Sequence, residues 1–161
     1  MKQGSKRSKR PLSLEITTYC HATEDPEKVK TALKELLPPE IREEADEIIL
    51  EESYKGHFGN PIKIFKIKIE KKKAEKAFKH LLKLMKKEDL EYFSVTLDDH
   101  VDHNMNVYIR LDKQSVFLGS PRILDSDDVI KIKIKFSKLA HREDISTLID
   151  EAYGEKSISP K

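Results

Sequence analysis

The chain contains 161 residues, of which 37% are hydrophobic and 37% are charged, and its formal net charge is +2 at pH 7. That length suits a single domain with a substantial core, and the apolar share excludes a disordered chain. No apolar run reaches the length of a membrane span, and the N-terminus lacks the apolar stretch of a signal peptide, so we expect a cytoplasmic protein without membrane contact. The single cysteine, Cys20, excludes an internal disulfide and a structural zinc site built from cysteines.

Basic and polar residues at the N-terminus predict a flexible tail over residues 1–11, followed by a single domain over residues 12–153. The tail is either a solubilising extension or an arm that follows a phosphate backbone. The last residues, 154–161, are expected to form a second flexible tail.

The first structured segments follow from their periodicity. Apolar and polar residues alternate from Leu12 to His21, which predicts a strand with one buried face and places Cys20 in the core. Asp25 and Pro26 suit the N-cap and the first turn of a helix, which ends at Pro38.

The next segments predict a pair of strands joined by a tight turn. Residues 45–54 are interpreted as a strand of less regular pattern, and the glycines and proline of residues 56–61 suit a compact turn. Apolar positions in residues 62–69 predict the partner strand. Their change of phase between Ile64 and Phe65 predicts a bulge.

From residue 71 to residue 87 the apolar period becomes that of a helix, with one apolar stripe from Ala74 to Met85. Charge is strongly segregated around this helix. Across residues 62–87 eleven lysines stand against two glutamates, whereas residues 40–52 hold seven acidic residues and a single arginine. Such asymmetry is typical of proteins that bind polyanions.

The second half of the chain predicts further strands and a closing helix. Residues 88–101 favour a helix, although their pattern is ambiguous, and residues 107–118 are interpreted as one strand. The clearest alternation covers residues 130–136, and a helical period follows over residues 145–152. This order of elements indicates an α+β domain, with an antiparallel sheet and helices packed mainly on one face.

Four short sequence motifs follow one another along the chain. They are residues 21–25 before the first helix, residues 56–62 between two strands, residues 108–114 with a glycine after them, and residues 128–132. Together they resemble the archaeal RNA-binding family described as a predicted exosome subunit, over about residues 12–136. The resemblance implies RNA binding with a link to RNA processing. It also implies a fold similar to that of the large-subunit ribosomal protein that binds 5S rRNA.

The basic face of the 71–87 helix is the main candidate for contact with RNA phosphates. Like charges recur there at i, i+4 spacing, which destabilises an isolated helix and which a polyanion would offset. The alternative is an ordinary solvated helix face. The candidates on this helix are Lys72, Lys76, Lys79, Lys83 and Lys87.

The glycine-rich turn supplies three further candidates. His57, Phe58 and Asn60 suit stacking on an unpaired base or contact with a phosphate through backbone N–H groups. The alternative is that Phe58 anchors the turn in the core.

A third group follows the strand that begins at residue 107. Arg110, Lys113 and Gln114 offer donors that can contact phosphate and 2′-hydroxyl groups. The alternative is a structural network in which Asp112 pairs with Arg110 or Lys113.

A second basic stripe lies on predicted strands. Lys131, Lys133 and Lys135 share one strand face, to which Lys66 and Lys68 can be added. This stripe is either a second phosphate surface or a protection of strands against edge aggregation.

One cluster suits an enzyme. Asp98, Asp99, His100, Asp102 and His103 have the ligand types and spacing of a divalent-metal site, which would support metal-assisted phosphodiester hydrolysis. Acidic and histidine residues are also common on solvated surfaces.

These observations predict a non-catalytic RNA-binding protein that needs no cofactor and favours structured or A-form RNA by shape and charge. Its expected partners are RNA and, through the resemblance, an exosome or other RNA-processing proteins. The alternatives are a protein adaptor that uses the acidic segment 40–52, and a metal-dependent phosphodiesterase that uses residues 98–103.

Overall fold

A computed structural model describes residues 10–158, in which five strands and eight helical segments form an α+β fold. The strands are β1 (Pro11–Cys20), β2 (Leu50–Lys55), β3 (Pro61–Glu70), β4 (Asn106–Leu111) and β5 (Ile130–Phe136). The helices are α1 (Pro26–Glu35), α2 (Pro39–Arg42), α3 (Ala45–Ile48), α4 (Lys71–Leu84), α5 (Lys87–Val95), α6 (Leu97–His100), α7 (Lys113–Phe117) and α8 (Arg142–Ile158). The strands form one antiparallel sheet in the order β2-β3-β1-β5-β4, which confirms the predicted fold class.

Helices cover only one face of this sheet. Leu14 and Ile16 on β1 point to that face, and the apolar stripe of α4, including the fully buried Phe78, packs on it. Antiparallel sheets commonly bury one face and leave the other to solvent. We call the uncovered side the open face. It is formed by the odd positions of β1 and β5 from residue 13 on, and by the even positions of β2, β3 and β4.

The predicted beginning of the chain is confirmed. Strand β1 has the expected extent, and Cys20 is buried in the core. Asp25 caps α1, because its side chain accepts a hydrogen bond from the backbone N–H of Glu27 at 3.0 Å. Pro26 occupies the first turn, where a missing N–H has no cost.

Strand β3 contains no bulge, so that prediction was wrong. Its register with β1 runs without interruption from Ser13–Glu70 to Cys20–Lys63, and its register with β2 is equally regular. The change of apolar phase has another cause. Ile64 lies on the open face opposite Tyr19, and neighbouring side chains cover it there.

Two segments predicted as strands form helical turns instead. Residues 45–48 form α3, in which the N–H of Ile49 donates to the carbonyl of Ala45 at 3.0 Å, and β2 starts only at Leu50. Strand β4 ends at residue 111, because the side chain of Asp112 accepts from the N–H of Ser115 at 3.0 Å and so caps α7.

The helix predicted over residues 71–87 is shorter than expected: α4 ends at Leu84, because Met85 and Lys86 have extended backbones, and Lys87 begins α5. The other boundaries differ from the predictions only in detail. Residues 88–101, which were ambiguous, contain most of α5 and the single turn of α6. Helix α8 continues past Gly154 to Ile158 instead of fraying at the glycine. Residues 1–9 and 159–161 lie outside the described residues, so the two flexible tails and the domain boundaries stay predictions. Among the helices described, none has the length and apolar content that crossing a membrane requires.

The turn before β4 is organised by one carboxylate. Asp102 accepts hydrogen bonds from the N–H groups of Asn104 and Asn106 at 2.9 and 3.0 Å, from the amide of Asn106 at 3.1 Å, and from the hydroxyl of Tyr108 at 3.0 Å. The bond from the Asn106 N–H contributes most to lowering the pKa of Asp102 from its ordinary 3.8 to about 2. The turn also holds Met105 at a φ of 65°, a conformation that side chains with a β-carbon rarely adopt.

A buried carboxylate, Asp89, joins α5 to the segment that leads into β5. Asp89 is 8% exposed and accepts from the Nε of Arg122 at 2.9 Å and from the backbone N–H of Ile123 at 3.0 Å. Because a buried carboxylate is stable only when it is paired, this contact fixes the course of the long connection between α7 and β5.

Replacement of Asp102 by asparagine is expected to make the thermal stability of the protein depend less on pH below about pH 4. Because the folded pKa lies below the ordinary value, the ionised carboxylate stabilises the fold above about pH 4, and this stabilisation is lost as the pH falls from about 4 to about 2. Thermal unfolding at several pH values measures the effect. The wild-type midpoint should fall more steeply across that window than the midpoint of the variant, and parallel curves would contradict the assignment.

Replacement of Asp89 by alanine should lower the free energy of unfolding by about 1–3 kcal/mol, because the N–H of Ile123 and the guanidinium of Arg122 lose their acceptor. Asp98→Ala is the matched control. It breaks an exposed contact of 2.8 Å to Arg142 and should cost less than about 1 kcal/mol. Urea unfolding of both variants checks this, and equal losses would mean that the buried contact is not special.

Candidate nucleic-acid interface

The open face carries a concentration of basic and aromatic side chains. Its basic residues outnumber its acidic ones six to three, since only Glu15, Glu52 and Glu70 are acidic. Three tyrosines accompany them. The basic and aromatic members are Lys66, Lys68, Arg110, Lys131, Lys133, Lys135, Tyr19, Tyr54 and Tyr108.

Three of the basic residues form a row across four strands. Thr17 of β1 lies directly between Lys66 of β3 and Lys131 of β5, and Lys131 lies opposite Arg110 of β4. Neighbouring strands are about 4.8 Å apart, so the row spans roughly 14 Å between its outer backbones. We call these three residues the basic row.

The charges of the open face differ in how far they are already paired. Lys66 lies 3.5 Å from Glu52, and Arg110 lies 3.7 and 3.9 Å from Asp125 and Asp127, whose side chains are fully exposed. Lys131, Lys133 and Lys135, in contrast, form no ion pair within residues 10–158. Glu15 of β1 lies opposite Lys133 in the register, so Lys131 and Lys135 are the ammonium groups of β5 without an acidic residue directly across on β1.

Two tyrosines flank the basic row. Tyr19 and Tyr108 are 39% and 43% exposed, and the ammonium of Lys131 lies over the ring of Tyr19, 5.9 Å from its centroid. Sequence reasoning had not singled out either tyrosine. The sequence pattern could have indicated both tyrosines. Each one alternates with buried residues along its strand, so its side chain must point away from the core.

The glycine-rich turn forms the tip of the β2–β3 hairpin, at the end of the sheet where β1 ends and β5 begins. Phe58 is 87% exposed and contacts the ring of His57 edge-on, so it does not anchor the turn in the core. The glycines have a structural reason. A β-carbon on Gly56 would lie 2.9 Å from the Ile62 side chain, and Gly59 has a φ of 83°.

The lysine-rich face of α4 lies on the opposite side of the protein, because the other face of this helix packs on the covered side of the sheet. Part of its charge is compensated. Lys73 lies 3.0 Å from Glu44 and Lys76 lies 3.8 Å from Glu40, both of them in the acidic segment. Lys87 lies over the ring of Tyr153, 5.6 Å from its centroid.

Asp46 and Glu51 of the acidic segment are also paired within the chain. Asp46 lies 2.8 Å from Lys34, and Glu51 lies 3.5 Å from Lys30 and 3.1 Å from Lys63. The charges that are segregated along the sequence are therefore interleaved in space, where α1, β3 and α4 meet the acidic segment.

Lys113 is a structural residue. Its ammonium donates to the carbonyl of Tyr19 at 2.7 Å, to Asp128 at 2.7 Å and to Glu24 at 3.0 Å, and its side chain is 14% exposed. Partial burial works to raise the pKa of Asp128, but the hydrogen bond and charge of Lys113, with a smaller effect of His21, hold that pKa below its ordinary value. The expected network exists, although Asp112 is not its acidic member.

His21, Glu24 and Asp128 place ligand atoms within 4.8 Å of one another, as a metal site would. The ammonium of Lys113 already bonds to both carboxylates, so this cluster has a cation without a metal. Gln114 lines a nearby cleft of about 270 Å³ between α1 and α7, beside Lys28.

The Asp/His cluster of residues 98–103 does not form a common ligand shell. Asp98 contacts Arg142, and the ring nitrogens of His100 are engaged by the carbonyl of Tyr108 at 2.9 Å and the hydroxyl of Thr96 at 3.1 Å. Asp102 organises the turn described above. Asp98, His100 and Asp102 thus serve separate local contacts, and among the described residues the group of three or more possible metal ligands lies elsewhere, at His21, Glu24 and Asp128. The observation that favoured a hydrolase is weakened accordingly.

The candidates predicted from sequence therefore fall into separate places. Arg110 belongs to the open face, and His57, Phe58 and Asn60 form the hairpin tip at one end of the sheet. Lys113 is enclosed in its network, and Gln114 lines the cleft. The remaining candidates lie on the opposite side, on and just after α4: Lys72, Lys76, Lys79, Lys83 and Lys87.

Relatives of this chain are archaeal proteins. It is 38% identical over 125 residues to an uncharacterised protein of Methanocaldococcus jannaschii, covering 77% of this chain and 83% of the relative. It is 39% identical over 124 residues to RNA-binding protein PAB1135 of Pyrococcus abyssi, covering 76% and 80%. A crystal structure of a DUF54 protein from Sulfolobus solfataricus has the same fold, with a TM-score of 0.73 at 25% identity, over 89% of this chain and 98% of that one.

A family model described as RNA binding matches residues 13–136, which contain all five strands except the first residues of β1. The matched region includes the open face, the hairpin tip and the Lys113 network. The match covers well over half of the chain, and the relatives named above exceed 30% identity over most of their length. The chain therefore belongs to this RNA-binding family.

Proposed function

We propose that the protein is a non-catalytic RNA-binding module that holds the phosphate backbone of RNA on the open face of its sheet. The observation that carries this proposal is the basic row of Lys66, Lys131 and Arg110 on a face that no helix within residues 10–158 covers. Membership of an RNA-binding family, and the name of the Pyrococcus abyssi relative, support RNA as the polyanion.

The physical argument is the balance of charge before and after binding. A phosphate that approaches Lys131 meets an ammonium without an ion-pair partner in the described part of the chain, so no internal ion pair is broken. Neutralising phosphates releases their counterions, which provides most of the affinity of sequence-independent binding. The partners of Arg110 are exposed aspartates, and such pairs contribute little and exchange easily.

The lysines of α4 stay a predicted second surface. A phosphate at Lys73 or Lys76 would displace a glutamate of the acidic segment, so each of these contacts gains less than a contact with Lys131, Lys133 or Lys135. Lys66 of the open face has the same cost, because it lies 3.5 Å from Glu52. The two surfaces face opposite sides, which means that one short RNA segment would not reach both.

The role in RNA processing, and the contact with an exosome in particular, rest on the family resemblance and remain part of the proposal. Binding of the purified protein to a reconstituted archaeal exosome, with and without RNA, tests them. The adaptor alternative has lost its main support, since the acidic segment is paired with lysines of α1, β3 and α4.

The proposal predicts that Lys66→Gln/Lys131→Gln binds RNA at least about tenfold more weakly than wild type. Two lost phosphate contacts should also lower the slope of log affinity against log salt by about 1.4. Lys76→Gln/Lys83→Gln on α4 is the matched comparison, because it removes the same net charge, and its affinity should fall clearly less than that of the open-face variant. Fluorescence anisotropy at several salt concentrations measures both quantities.

The two variants separate the possible outcomes. A loss confined to the α4 variant would place the phosphates on α4 and contradict the proposed surface. Absence of binding by the wild-type protein at low salt would contradict RNA binding itself.

A further inference from the structure

The exposed tyrosines of the open face have no role in holding a phosphate. Tyr19 and Tyr108 present about two fifths of their surface to solvent on a face that is otherwise mostly charged. Aromatic rings beside ammonium groups are the combination with which proteins bind single-stranded nucleic acid, since bases stack on the rings while lysines hold the backbone.

We infer that the open face selects single-stranded RNA by stacking unpaired bases on Tyr19 and Tyr108. This inference rests on the proposed function and names its substrate class. It departs from the expectation, drawn from charge alone, that the protein favours structured or A-form RNA.

The positions of the two rings suit a short stretch of one strand. Tyr19 and Tyr108 are separated by two strand spacings and four residues along the strands, which corresponds to roughly 16 Å between their backbones. Lys131 lies between them, diagonal to Tyr108 across the β4–β5 pair and over the ring of Tyr19. A base on each ring would therefore bring the connecting phosphates to the basic row.

The fold also holds one of these rings in place. The hydroxyl of Tyr108 donates to Asp102, the same carboxylate that organises the turn before β4, so the ring does not turn freely in solvent. An aromatic group that is already ordered loses less conformational entropy when a base stacks on it.

A duplex cannot use these rings. In A-form RNA the bases are stacked on each other, and the major groove is too deep and narrow for side chains to read. The lysines would still attract the phosphates of a duplex, so duplex binding should persist but should not depend on the tyrosines.

The test compares two RNA probes and three variants by fluorescence anisotropy at one salt concentration. The probes are a labelled oligouridylate of about 12 nucleotides and a blunt RNA duplex of about 12 base pairs. The variants are Tyr19→Leu/Tyr108→Leu, the conservative Tyr19→Phe, and Tyr92→Leu as the matched control. Tyr92 is 51% exposed on α5, on the helical side of the protein.

We expect the wild type to bind the oligouridylate at least about tenfold more tightly than the duplex, and the double variant to lose about tenfold or more on the oligouridylate alone. Tyr19→Phe and Tyr92→Leu should bind both probes as the wild type does. Because the chain has five tyrosines and no tryptophan, tyrosine fluorescence gives a second readout of binding. The oligouridylate should quench this emission in the wild type and in Tyr92→Leu. The quenching should be lost in the double variant.

Two results would overturn the inference while leaving the proposed function intact. The first is that the wild type binds the duplex as tightly as the oligouridylate or more tightly. The second is that a folded double variant binds the oligouridylate as the wild type does, while Lys66→Gln/Lys131→Gln still fails to bind. Loss of binding by Tyr19→Phe would also overturn it, because the ring remains and only the hydroxyl is removed. If the wild type binds neither probe at low salt, the proposed function fails together with the inference.

Discussion

The two faces of the sheet differ in what they contact, and most other features of the molecule depend on that difference. Side chains of a strand alternate between faces, so most apolar residues of β1, β3, β4 and β5 meet α4 and the other helices on one side. Burial of that surface is the main stabilising term of the fold. The residues in between are left in water, where they are free to be basic or aromatic. The proposed RNA surface is thus a by-product of the same alternation that builds the core.

Charge pairing decides which of the basic surfaces remains available. Sequence segregates lysines after residue 62 from acidic residues before residue 52, and that segregation suggests two oppositely charged surfaces. In space the two sets meet, since Glu44 contacts Lys73 and Glu51 contacts Lys63. Exposed pairs of this kind contribute little to stability, but they reduce the field of α4. Lys131, Lys133 and Lys135 of β5 form no ion pair within residues 10–158, so their electrostatic field is not reduced in this way.

Stability and the proposed site are linked through a few polar residues near the sheet. Asp102 both closes the turn before β4 and holds the hydroxyl of Tyr108. Lys113 ties the backbone of Tyr19 to Glu24 and Asp128, so it fixes the end of β1 from which the other tyrosine projects. Neither residue needs to touch RNA to affect binding. If replacement of Asp102 or Lys113 lowered the affinity for RNA, the cause would be displacement of the ring of Tyr108 or Tyr19, respectively.

The sequence by itself determined the α+β class, the edges of β1 and β5, the start of α4, the cap at Asp25 and the burial of Cys20, because local periodicity and capping chemistry are short-range properties. It misplaced residues 45–48 and 112–118, where side-chain and backbone hydrogen bonds of a helical turn outweigh an apparent alternation. Only the tertiary structure decided that the Asp/His cluster is dispersed, that Lys113 is enclosed, and that Lys66, Lys131 and Arg110 share one row. Those facts depend on strand order, register and long-range charge pairing, which bring together residues that are distant in sequence and which no local pattern encodes.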